Sequence, residues 1–172
     1  DGLRVNDYVL EKDTTGGSNQ VDIVFVLDVT GSMGEEIGGV KNNIIEFADS
    51  LSNQGVDFRL GMVTFLDAIE NVYDFTSNAV QFKNYIAQQY SHGGDDTPEN
   101  SLAALMRASE FNFRDEANRV VIWITDADYH ILDWATNLTV QQVIDALLNK
   151  SIVTNCIGAT YYQTQFYDPI VN

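Results

Sequence analysis

The sequence predicts an α/β fold: a doubly wound, mostly parallel central sheet with one antiparallel edge strand and helices on both faces. Three observations lead there. Two nearly continuous apolar runs, Val21–Asp28 (VDIVFVLD) and Arg119–Asp126 (RVVIWITD), each end in an aspartate and have the character of strands covered on both faces. Other stretches repeat apolar residues at i, i+3, i+4 and i+7, as amphipathic helices do. Strand and helix alternate along the chain, which implies right-handed crossovers between parallel neighbours.

In chain order, residues 1–20 read as an N-terminal segment or linker, because Asp13–Gln20 (DTTGGSNQ) is small and polar, and 21–172 as one domain. The first strand leads into a helix over Glu35–Asn53, with Ile37, Val40, Ile44, Phe47, Ala48 and Leu51 on one face. Phe58–Phe65 (FRLGMVTF) is a second strand, hairpin-linked through Leu66–Ile69 to a third over Glu70–Phe75. Helices follow over Asn78–Gln89 and Pro98–Phe111, the latter with Leu102, Leu105, Met106 and Ser109 on one face. After the Arg119–Asp126 strand, Thr139–Lys150 forms a helix that turns Val140, Val143, Ile144, Leu147 and Leu148 inward, and Ile152–Ala159 is the last strand. Beyond Ala159 the chain contains Pro169 and has no helical periodicity.

Composition narrows the function. A length of 172 residues suits a single domain with a substantial core, and 45% hydrophobic residues exclude disorder. Nine Lys and Arg against 25 Asp and Glu give a net charge of −16, which repels nucleic-acid phosphates and anionic lipid and favours cations. The longest apolar runs are far shorter than the roughly 20 residues of a membrane helix, so no direct membrane insertion is expected. Cys156, the one cysteine, rules out an internal disulfide and a cysteine-rich zinc site and reads as a buried strand thiol. With Asp1 first and no apolar leader, the chain is expected to be part of a larger, processed protein.

The informative residues gather at one edge. In an open α/β sheet, ligands bind beyond the carboxyl ends of the strands, where Asp28 and Asp126 fall. Asp28-Val-Thr-Gly-Ser-Met33 sets a carboxylate and two hydroxyls, Thr30 and Ser32, at alternate positions on a turn expected to be sharpened by Gly31 and Gly34. Thr97, in Gly93-Gly-Asp-Asp-Thr-Pro-Glu-Asn100, adds a third hydroxyl. Five hard oxygen groups without histidine or thiolate suit Mg²⁺, Mn²⁺ or Ca²⁺. Each element also has an ordinary structural explanation: Ser32-x-x-Glu35 matches a capping box, Thr97-Pro98 a helix N-cap with proline at N1, and Thr139-x-x-Gln142 a capping box away from any site. Caps do not require two strand-terminal aspartates and D-x-T-x-S on the same sheet edge.

The set Asp28-x-Thr30-x-Ser32, Thr97 and Asp126 resembles the metal-ion-dependent adhesion site of von Willebrand factor type A domains, the group that includes integrin inserted domains. The resemblance runs from about Asp22 to Ala159, and Thr30 stands where serine is commoner. It implies that Ser32 and Thr97 approach the metal directly, that Asp28 and Asp126 supply negative charge, and that an Asp or Glu of a protein partner completes the coordination. The implied function is a divalent-metal-dependent adhesion or protein-binding module, not an enzyme, at the cell surface or in secretions. An intracellular assembly module of the chelatase type, recruiting an ATPase in the cytoplasm, is the alternative. A haloacid dehalogenase-like phosphatase is disfavoured because Thr30 stands where that family has its second aspartate, and Lys150 has a helix-terminal role of its own.

Other residues are weighed against plainer roles. His92 reads as a solvated loop histidine, and Asp95, Asp96 and Glu99 as turn and pre-helix residues that also tune the local field. Tyr129, His130 and Trp134 either rim the site or fold back on the domain. Asn137-Leu-Thr139 is a glycosylation sequon whose threonine already has a capping job. Inserted domains end in a helix coupled to their metal site; the C-terminus here shows no such pattern, so no affinity switching is expected.

Overall fold

The computed structural model describes residues 19–94 and 98–171. The expected linker lies outside the described residues except for Asn19 and Gln20, and Gln20 already opens the first strand. In chain order the elements are β1 (Gln20–Asp28), a 3-10 turn (Gly31–Gly34), α1 (Ile37–Asn53), β2 (Asp57–Phe65), β3 (Ile69–Thr76), α2 (Ala79–Ala87), α3 (Ser101–Ser109), β4 (Asn118–Thr125), α4 (Val140–Asn149), β5 (Ile152–Gly158) and a π-helical turn (Gln163–Tyr167). The sheet order is β3-β2-β1-β4-β5; all pairs are parallel except β2 with the edge strand β3. This is the predicted doubly wound architecture.

The apolar runs explain the layering. All eight residues of Val21–Asp28 are buried, since β1 sits at the centre with helices over both faces. Alternation divides its side chains. Ile23, Phe25 and Leu27 join Val40, Ile44 and Ala48 of α1 and Phe82 and Ile86 of α2. Val24 and Val26 join Leu102 and Leu105 of α3, Val143 and Leu147 of α4, and Trp123 of β4. Successive strands run outward from β1 in one direction to β3, and then from β1 in the other direction through β4 and β5, so the strand order reverses between β1 and β4. The two strand-terminal aspartates therefore flank the switch point of the sheet, where open α/β folds place their ligands.

Two helix starts are displaced from expectation by two residues or more. α1 begins at Ile37 rather than Glu35, after the 3-10 turn, and no side chain caps it. α3 begins at Ser101 rather than Pro98, with the Asn100 side chain as its cap. The reason is that Glu99 forms an extended bridge with Tyr129: its amide donates to the Asp128 carbonyl (3.1 Å), and its carbonyl accepts from the His130 amide (3.0 Å). An extended residue cannot also be helical, which moves the start past it. The cap at Thr139 matches expectation, with both bonds of the capping box to Gln142 present. The described C-terminal segment has a five-residue π-helical turn and no longer helix; it buries Tyr167 and Ile170 in the core.

At the amino edge of the sheet, Asp22 is fully buried and receives Arg59 and Arg114 together with the Arg114 amide (2.7 Å). Burial pushes this carboxyl up, but the arginine and amide donors outweigh it and hold the group below its ordinary 3.8. A depressed carboxyl contributes stability above its unfolded value and loses it as pH falls toward the folded one. Asp22→Asn is therefore expected to lower unfolding free energy by about 2 kcal/mol at pH 7. Urea denaturation should show the gap to wild type closing below pH 3.8, and an unchanged gap there would contradict this account.

Candidate functional site

The loop after β1 carries the first part of the site. Asp28, at the end of β1, is fully buried; Oδ1 accepts the Thr30 amide (2.9 Å) and the Thr30 hydroxyl (2.6 Å). Ser32, exposed in the 3-10 turn, donates its hydroxyl to Asp126 Oδ1 (2.9 Å), just past the end of β4. The Ser32 hydroxyl thus bridges to the neighbouring strand rather than capping α1, which corrects the capping-box reading. Thr30 Oγ1 and Ser32 Oγ are 3.0 Å apart. Four of the five expected residues, Asp28, Thr30, Ser32 and Asp126, form one connected cluster; Thr97, Asp95 and Asp96 lie outside the described residues.

Proton counting shows what the cluster lacks. Each hydroxyl has one proton to give, and an ionised carboxylate only accepts. When Thr30 donates to Asp28 and Ser32 to Asp126, the 3.0 Å contact between the two hydroxyl oxygens has no proton in it. Lone pairs then face each other across the turn, an arrangement that a cation relieves. Among the described residues no three His, Cys, Asp or Glu side chains converge as a self-sufficient metal site would require. The available donors are two carboxylates and two hydroxyls, a hard all-oxygen set that fits Mg²⁺, Mn²⁺ or Ca²⁺.

The surroundings favour positive charge. Burial pushes the Asp28 carboxyl above its ordinary range, against the Thr125 and Thr30 donors. Asp126 is also pushed up, by burial first and with the charge of Glu36 adding to it, while Ser32 opposes. The described loops at this edge contain Glu35, Glu36, Asp67, Asp128 and Asp133 but neither Lys nor Arg. Arg59, Arg114, Arg119 and Lys150 stand near the opposite ends of the strands, so the domain is polarised along them.

Backbone geometry holds the two described loops together. Gly31 donates its amide to the Gly93 carbonyl (3.0 Å), and His92 donates its amide to the Val29 carbonyl (2.8 Å). In the facing loop Gly93 (φ 57°) and Gly94 (φ 76°) are left-handed. At Gly94 a Cβ would meet the Thr30 Cβ at 3.0 Å and Glu99 Oε1 at 3.2 Å, so only glycine lets this loop pack against Thr30.

The flanking residues sort themselves. His92 lies in a loop, partly exposed as expected, and is also held there: Nε2 meets Glu70 Oε1 (2.8 Å), Nδ1 meets the Tyr90 carbonyl (3.0 Å), and Tyr90 lies against its ring. Tyr129 and His130 fold back and are buried, with His130 Nδ1 held by Asp133; Trp134 is 72% exposed. Asn137 is exposed, and Thr139 serves the cap of α4. Cys156 is half-buried in β5, where burial pushes its thiol up. Thr125, near the cluster, is not singled out by sequence, whereas Glu99 reads as a pre-helix residue that also tunes the local field. Thr125 donates to Asp28 Oδ2 (2.6 Å), and Glu99 is buried with Oε1 close to Gly94. Register would have found Thr125, since Leu27 pairs with Ile124 and the next residues along are Asp28 and Thr125.

The sequence profile of the von Willebrand factor A domain matches residues 22–166. The chain belongs to that family. Among curated relatives, the alpha-protein kinase vwkA of Dictyostelium discoideum is 28% identical over 120 residues, covering 66% of this chain and 19% of that protein. Human integrin beta-6 is 20% identical over 143 residues, covering 64% of this von Willebrand factor A domain and 18% of the integrin. The chain thus spans about a fifth of the length of these relatives. Two solved structures share the fold: BatB of Bacteroides thetaiotaomicron (TM-score 0.62, 19% identity, 79% of this chain and 65% of that one) and the mussel byssus proximal thread matrix protein 1 (TM-score 0.66, 22% identity, 83% and 36%).

The His92 contacts carry a pH dependence. The Tyr90 carbonyl, then the Glu70 carboxylate, hold the imidazole above its usual 6.5 despite burial. A raised histidine contributes stability that is fully present below the unfolded value and is lost as pH rises through the folded one. In thermal melts, His92→Gln should lie furthest below wild type near pH 5.5 and converge on it by about pH 8. A gap that widens with pH would reverse the assignment.

Proposed function

We propose that this von Willebrand factor A domain is a divalent-metal-dependent protein-binding and adhesion module. Asp28, Thr30, Ser32 and Asp126, together with Thr97, hold Mg²⁺ or alternatively Mn²⁺ or Ca²⁺. One observation carries the reading: Asp28, Thr30, Ser32 and Asp126 are linked oxygen to oxygen, with the two hydroxyls 3.0 Å apart, at an acidic, solvent-open edge. When bound, the cation supplies an electrophilic position that an Asp or Glu carboxylate of a protein partner can take.

The chain's own residues prepare that position. Buried Asp28 orients the Thr30 hydroxyl, partly exposed Asp126 orients Ser32, and exposed Ser32 opens the cluster to solvent. Binding rather than catalysis is favoured because the described histidines at this edge are engaged elsewhere, His92 with Glu70 and His130 with Asp133. Relatedness to integrin beta-6 supports a role in protein–protein contact at the cell surface or in secretions, within a larger multidomain protein. The mussel matrix protein, described with a zinc-occupied metal-ion-dependent adhesion motif, supports metal binding by a domain of this fold.

Calorimetry with Mg²⁺ and with Mn²⁺ tests the site. Wild type should bind and Asp28→Ala should not; equal binding by both would sink the assignment. Acetate, the simplest carboxylate, tests the contact: it should shift the Ser32 and Asp126 amide resonances in the presence of Mg²⁺ and leave them in place in EDTA.

A further inference from the structure

Thr125 is the last residue of β4, fully buried and one position before Asp126. Its hydroxyl oxygen accepts the Ala127 amide (3.2 Å) and its proton goes to Asp28 Oδ2 (2.6 Å). The direction of the second bond follows from chemistry, because an ionised carboxylate has no proton to return. Hydroxyls at strand ends often bond the amide two residues on, which accounts for the Ala127 contact alone. That local turn does not account for a proton delivered across strands to a buried anion.

The consequence for Asp28 is geometric. Oδ1 is held by the Thr30 amide and hydroxyl, and Oδ2 by Thr125, so three donors, two from the loop after β1 and one from β4, fix the plane of the carboxylate. A terminal carboxylate torsion is otherwise broad and nearly two-fold. With the plane fixed, Oδ1 faces Thr30 and the Thr30 hydroxyl keeps its proton on Asp28 and its lone pairs toward Ser32. The same residue anchors the other half of the cluster. Through the Ala127 amide it pins the turn that carries Asp126, and the Tyr167 hydroxyl pins that turn from the far side by donating to the Ala127 carbonyl (2.9 Å).

We infer that Thr125 is a positioning residue for the carboxyl-edge site, setting the orientation of Asp28 and the position of Asp126 at once. The inference rests on the reading that this cluster holds a divalent cation. Thr125→Val keeps the β-branched shape and strand preference while removing the hydroxyl. Its removal leaves Asp28 Oδ2 without the Thr125 donor and frees the carboxylate to turn.

The experiment titrates Mn²⁺ into wild type, Thr125→Val and Thr125→Ser, following loss of the free-ion electron paramagnetic resonance signal alongside calorimetry and thermal melts. Binding by Thr125→Val is expected to be about tenfold weaker or worse, with Thr125→Ser restoring affinity to within about threefold of wild type. The serine rescue separates a positioning hydroxyl from mere packing. Equal Mn²⁺ affinity in wild type and Thr125→Val would overturn the role of Thr125 while leaving the metal reading intact; no Mn²⁺ binding by wild type would overturn both. A second measurement needs no variant. In wild-type protein the Thr125 hydroxyl proton should give an exchange-protected NMR resonance that shifts on adding Mg²⁺, and a rapidly exchanging hydroxyl would also overturn the inference.

Discussion

A carboxylate with no exposure to solvent sits at the end of the central strand, and the carboxyl edge is organised around it. Burying an unpaired anion is costly, so Asp28 must be supplied with donors from within the fold. They come from two directions: Thr30 from the loop that follows β1, and Thr125 from the adjacent strand β4. Meeting that demand uses the protons of both threonine hydroxyls. The Thr30 oxygen is thereby turned into an acceptor facing Ser32, and Ser32 in turn faces Asp126. The chemical character of the edge, oxygen-rich and proton-poor, is a consequence of satisfying one buried charge.

The sheet topology makes this possible. Because strand order reverses between β1 and β4, no crossover helix covers the gap between their carboxyl ends, and the two aspartates can share one crevice. The loop Ser91–Gly94 closes in from the side through backbone bonds to Val29 and Gly31. Left-handed Gly93 and Gly94 permit that approach, where a side chain at Gly94 would collide with Thr30. Charge is distributed to the same end. Asp22 draws Arg59 and Arg114 to the amino edge, and the described loops of the carboxyl edge are left with acids alone among the fully charged residues. The polarity suits a domain that recruits a cation before it recruits a protein.

How much of this was legible beforehand varies by residue. The apolar runs and helical spacings place every strand within two residues and identify the face of α1 and, except for Leu148, which is exposed rather than inward, that of α4, because burial on one or both sides leaves a direct mark on composition. Capping grammar is less dependable. Thr139-x-x-Gln142 is a capping box as it reads, while Ser32-x-x-Glu35 has the same pattern and its serine serves Asp126, 94 residues away. Likewise Thr97-Pro98 suggests a helix start, but pairing of Glu99 with Tyr129 displaces it to Ser101. In both cases a long-range partner outcompetes a local one, and local pattern has no term for that competition. Tyr129, His130 and Trp134 illustrate the same point: the letters were equal candidates for an exposed rim, and packing buried two and left one in solvent.

By itself the sequence determined the fold class, the acidic balance and the motif that puts Asp28, Thr30, Ser32 and Asp126 on one edge, since these follow from periodicity, composition and short-range spacing. Only the tertiary structure decided which oxygen each proton serves. The Ser32 to Asp126 bond, the Thr125 to Asp28 bond and the glycine conformations of the facing loop all join segments distant in the chain, and they exist because register and packing bring those segments within 3 Å. The net charge of −16 is a property of the letters; its concentration at one end of the strands is a property of the fold.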